Sequence, residues 1–138
     1  MIMNLELHLK IVGALLLVLA VMNVFLPRKL NWKEDAAKLT LLNRQIFQVH
    51  GFFIILILVL FGGLTLLYSH LLLKKGELNR LVLLGFTLFW AIRLFVQWFV
   101  YDRRLWLGNR FNTVVHFLCT GFWGYCAVTY GVALYRQF

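Results

Sequence analysis

Four long apolar stretches, separated by short polar ones, organise the chain: about 9–26, 46–68, 81–101 and 111–134. A helix needs roughly 20 mostly apolar residues to cross bilayer hydrocarbon. The first stretch is the shortest. Lys10 lies near its outer end, where a long aliphatic stem returns an ammonium to the headgroups and lengthens the usable span. Strands of a transmembrane barrel would be about ten residues long and alternate in polarity. These runs are too long and too uniform for that. The pattern predicts an all-α integral membrane protein, a four-transmembrane-helix bundle forming one domain over residues 1–138.

The connections are short, and 27–45 is the longest. Leu26-Pro27-Arg28-Lys29 reads as the end of a retained helix meeting water, since no small-x-small cleavage site follows the first run. Composition supports the same class: 62% hydrophobic residues against 14% charged, with a mean hydropathy of +0.82.

An even number of spans puts both termini on one side. The opposite side, here the motif side, holds the 27–45 and 102–110 connections. It carries Arg28, Lys29, Lys33, Lys38, Arg44, Arg103, Arg104 and Arg110, against Lys10, Lys74, Lys75, Arg80 and Arg136 across the membrane. The excess predicts a cytoplasmic motif side and both termini outside, as in a bacterial inner membrane. The net charge of +9 suits loops resting on anionic headgroups. Nucleic acid is the poorer partner, because no basic domain or reading helix is present.

A short motif occurs twice, each time at the threshold of an apolar run. Lys38–His50 reads KLTLLNRQIFQVH and Arg104–His116 reads RLWLGNRFNTVVH; Asn-Arg and the closing Val-His recur in both. The expectation is that each Asn-Arg pair sits in a loop, with its histidine about a turn inside the following helix. Asn23, His50, Arg93, Gln97 and His116 are the polar residues within the spans, and alternation of helix direction places all five in the motif-side leaflet. Arg93 and Gln97 share one helix face at i, i+4. An arginine that deep requires a partner, water or a ligand, and no Asp or Glu lies inside the spans.

Each residue has a plainer use. A histidine near a helix end can rest among headgroups, an arginine can snorkel, and Asn or Gln can join helices by hydrogen bonds. Cys119 and Cys126, roughly 10 Å apart along one helix, read as small packing residues. Gly62-Gly63 and the Gly121, Gly124, Ala127 series read as sites of close helix approach. Aromatic residues near the span ends form the interfacial belt. His8 and His70 read as solvated.

The coincidence of the polar residues at one end suggests a ligand site. The leading expectation is electron transfer by haem b held between His50 and His116 as axial metal ligands. Arg44 and Arg110 would lie near its propionates, with Arg93 and Gln97 completing the cofactor-binding set. The alternative is a non-catalytic accessory subunit of a larger membrane complex or homo-oligomer, its polar cluster seating a lipid, a quinone or a partner. An enzyme is the weakest reading. No carboxylate accompanies the histidines as a base or further ligand, and no metalloprotease, nucleophile-elbow or phosphate-loop motif occurs.

Overall fold

The computed structural model describes residues 2–138, with side-chain surroundings from Asn4 onward. It is all-α. The order is α1 (Ile2–Lys29), α2 (Trp32–Ala37), α3 (Leu41–Leu67), α4 (Ser69–Leu72), α5 (Glu77–Phe99), a single 3-10 turn (Arg103–Leu105) and α6 (Arg110–Tyr135). Four of these helices are long and apolar enough to cross a membrane: α1 from Asn4, α3, α5 and α6. The protein is therefore the four-transmembrane-helix membrane protein that its apolar pattern predicts.

Two boundaries differ from the sequence expectation for physical reasons. Pro27 lies inside the last turn of α1, which continues to Lys29. A proline there gives up one backbone donor and crowds the carbonyl four residues back, yet the turn is closed by the Leu30 N–H donating to the Leu26 carbonyl at 3.0 Å. The 27–45 connection also contains α2, whose Trp32 packs edge-on against Phe47 of α3 with ring centroids 5.2 Å apart. The connection is therefore partly helical and packs against α3.

The chain packs as two units, Lys10–Ser69 and Met1–Leu9 with His70–Phe138. In the first, α1 and α3 meet at Gly13 and Gly62. A β-carbon added at Gly13 would fall 2.6 Å from the Leu66 backbone nitrogen and 2.9 Å from the Gly62 carbonyl oxygen, and one at Gly62 would fall 3.0 Å from the Gly13 carbonyl oxygen. Lipid tails are as apolar as leucine, so close backbone contact is what holds such a pair together. Gly63, Gly121 and Gly124 have open space where a β-carbon would stand. The sequence expectation of a small-residue contact at Gly121 and Gly124 is thus corrected, and Gly13 supplies the contact that hydropathy concealed.

In the second unit α5 and α6 run antiparallel, and aromatic residues join them. Phe86 lies against Tyr130 at 5.0 Å between centroids, and Trp90 stacks on Trp123 at 5.2 Å. Leu83, Trp90, Cys126 and Tyr130 are buried there. Such aromatic pairs contribute about 0.5–1.5 kcal/mol beyond the area they bury.

Candidate functional site

The two copies of the motif fold differently, and the cause is local. In the first, Thr40 caps α3 by accepting the Asn43 N–H at 3.4 Å, so Asn43 and Arg44 lie in the first helical turn. In the second, Gly108 adopts a left-handed backbone with φ of 88° and stops that option. Asn109 is extended and becomes the cap, accepting the N–H groups of Phe111 at 3.0 Å and Asn112 at 3.3 Å. The expectation that both Asn-Arg pairs are in loops is therefore corrected. His50 follows Leu41 by nine residues, about 13 Å of helical rise, whereas His116 follows Arg110 by six, about 9 Å.

The second unit brings together three of the expected site residues. Gln97 and His116 are buried, and the Gln97 amide nitrogen is 2.9 Å from His116 Nδ1. The Trp123 indole, which can only donate, gives its N–H to Gln97 Oε1 at 3.4 Å. That bond orients the amide, so its NH2 donates to His116 Nδ1 and the imidazole proton resides on Nε2. Trp106, from the 102–110 connection, stacks face to face on the imidazole at 3.9 Å with 7° between planes, while Trp98 meets it edge-on at 5.3 Å. His116 Nε2 is enclosed and has no hydrogen-bond partner.

Arg93 is half-buried, with its guanidinium carbon 5.0 Å from the Trp123 ring centre and 5.7 Å from that of Tyr101. The aromatic faces take the place of the missing carboxylate, at about 0.5–2 kcal/mol per well-placed pair. The guanidinium thus lies both against the helix partner and toward the motif side. Arg110 is exposed at the start of α6. Sequence reasoning missed Trp123 and Trp106, whose roles depend on which rings meet; a buried Gln on a neighbouring helix was the available signal.

His50 belongs to the first unit, where its surroundings are quite different. Its Nδ1 lies 2.8 Å from the Ile46 carbonyl oxygen. A carbonyl only accepts, so Nδ1 carries a proton and the neutral ring presents Nε2 as a free acceptor. Arg44, six residues before it on α3, has an enclosed Nε without a partner. His50 lines a cleft of about 470 Å³ between α1 and α3, capped by α2. Val24, Phe52, Ile54 and Ile55 form its apolar walls, and Asn23, Lys33 and Gln48 add polar groups.

Asn23 repeats the His50 pattern. Its side-chain NH2 donates to the Leu19 carbonyl at 2.8 Å, which leaves Oδ1 as an acceptor. Pro27, also on the cleft wall, has no N–H to return to the Asn23 backbone carbonyl. The sequence singled out Asn23 and His50 but did not show that they line one cleft.

At the other end of the second unit, His8 Nδ1 is 2.8 Å from the Tyr125 hydroxyl, a partner where the sequence suggested solvent alone. Among the described residues, no three His, Cys, Asp or Glu side chains gather to hold a metal ion. No family model, no curated protein and no solved structure matches this chain.

Proposed function

We propose that the protein is a multi-pass membrane protein that seats an amphiphilic ligand, of the lipid or quinone class, in the cleft between α1 and α3, and that it serves as a non-catalytic accessory subunit. The observation that carries this reading is the cleft: a volume of about 470 Å³ whose apolar walls surround a few convergent polar groups. That size and lining are those of ordinary small-molecule sites, where apolar surface gives affinity and polar groups fix orientation. Its placement on the two apolar helices lets a ligand arrive from the lipid. On the excess of Lys and Arg, the cleft would open toward the cytoplasmic leaflet of a bacterial inner membrane, with both termini outside.

Gly51 offers the test. It lines the cleft, and an added β-carbon there meets nothing within 4 Å. Gly51→Phe should therefore fill the cleft without straining the backbone. Lipid extracts of protein purified in mild detergent should show a retained amphiphile in the wild type and its loss in the variant, at equal helicity. Equal retention by both would refute the reading.

The haem b reading rests on a narrower observation. A histidine that gives Nδ1–H to a backbone carbonyl and leaves Nε2 open, as His50 does, is arranged as metal-ligating histidines are. His116 is arranged otherwise, with its proton on Nε2 and Trp106 against its face. Electron transfer through the two histidines would require Gln97 to turn its amide over and Nε2 to be uncovered. A Soret band lost in both His50→Ala and His116→Ala is the signature that would favour haem over the cleft ligand.

A further inference from the structure

Two residues of the α1–α3 cleft wall, Asn23 and His50, each commit a side-chain donor to their own helix, and this sets what can fill it. Resting on the cleft as the binding site proposed above, we infer that its occupant is a hydrogen-bond donor, an aromatic diol of the hydroquinone class rather than the corresponding quinone. In its neutral form His50 offers Nε2 as an acceptor, because Nδ1–H is committed to the Ile46 carbonyl at 2.8 Å. Asn23 Oδ1 is free because its NH2 is committed to the Leu19 carbonyl at 2.8 Å. The Asn23 backbone carbonyl lacks its helical donor because residue 27 is proline. Both residues, and Pro27 itself, line the same cleft. A quinone carbonyl brings further acceptors to these groups; a hydroquinone brings two O–H donors.

The rest of the lining selects a flat ring. Trp32 and Phe47 meet edge-on at 5.2 Å and both line the cleft, giving aromatic surface beside the polar groups. A polyol headgroup would bring more hydroxyls than the few acceptors of the lining can meet, and each one buried unpaired costs free energy. A ring with two hydroxyls puts one on the Asn23–His50 acceptors. The other can accept from the ammonium of Lys33 on α2, which also lines the cleft. The cleft volume admits such a ring together with the first part of an alkyl tail.

The test uses the full chain in lipid nanodiscs under anaerobic conditions, titrated with decyl-benzohydroquinone and, separately, decyl-benzoquinone. Quenching of tryptophan emission reports binding. The hydroquinone should bind at least about tenfold more tightly, the scale on which a site built for a hydroxyl rejects its analogue. His50→Phe, which keeps an aromatic ring and removes the acceptor, should bring the ratio close to one, and His50→Gln should restore part of it. Equal binding of both probes, or a preference for the quinone, overturns the donor requirement while leaving the cleft as a binding site. Binding that Gly51→Phe does not diminish overturns the cleft itself. Retention of phospholipid with no binding of either probe overturns the hydroquinone class and leaves a lipid site.

Discussion

The Gln97 amide nitrogen lies 2.9 Å from His116 Nδ1, and this one contact decides which imidazole nitrogen holds the proton. The decision originates in Trp123, whose indole can only donate and so turns the amide oxygen toward itself. His50 is set the opposite way by a backbone carbonyl. Nitrogen-detected NMR of histidine-labelled protein, taken where the imidazoles are uncharged, should therefore resolve two tautomers, Nε2–H for His116 and Nδ1–H for His50. Trp123→Phe should release His116 to a mixture and leave His50 unchanged. One shared tautomer for both residues would contradict the relay.

Gln97→Leu should be more harmful than its single hydrogen bond suggests. It strands both the Trp123 indole and His116 Nδ1 in a buried setting, where an unpaired polar group costs about 1–3 kcal/mol. Reversible unfolding in mixed micelles should show a loss on that scale. The exposed Gln48→Leu should stay within about 0.5 kcal/mol.

Arg93 and Trp123 should be energetically coupled. A double-mutant cycle with Arg93→Leu and Trp123→Leu should return an interaction of about 0.5–2 kcal/mol. Arg93→Lys should retain part of it, because an ammonium keeps the charge but loses the planar stacking face. Additive single losses would mean that the guanidinium is only passing the ring on its way to the headgroups.

Gly13→Leu and Gly62→Leu should destabilise the α1–α3 pair severely, since the atoms they would strike are partly backbone and cannot move aside. Gly121→Ala and Gly124→Ala meet open space and should be neutral or slightly stabilising through helix propensity. Thermal unfolding of the four variants separates the two sets, and similar midpoints would remove Gly13 and Gly62 from the contact.

Side of exposure provides a further check. In a background lacking Cys119 and Cys126, single cysteines at Lys38 and Arg104 should react with the same membrane-impermeant reagent from one face. Labelling from opposite faces would break the even-span topology.

The spans were legible because their signal is additive: each residue of α3 or α5 contributes apolarity whatever its neighbours are. The polar residues were legible for the same reason, since Asn23, His50, Arg93, Gln97 and His116 stand out against hydrocarbon. What each of them does was not. Six identical positions in the two motifs suggested equivalent histidines, yet one glycine at 108 moves the helix start and so changes the depth. The Gly13–Gly62 contact was hidden by its sequence separation, and the Gln97–Trp123 bond by its dependence on antiparallel register. Sequence gives inventory; tautomer and acceptor direction come only with neighbours.

The face-to-face contact of Trp106 with His116 has a mechanical consequence. Trp106 adjoins the turn that carries Arg103 and Arg104, both exposed, so this connection is tethered from within rather than hanging from its ends. Loss of that indole would free the arginine-bearing turn and uncover the buried imidazole together, so the connection and the interior of the helix pair share one anchor.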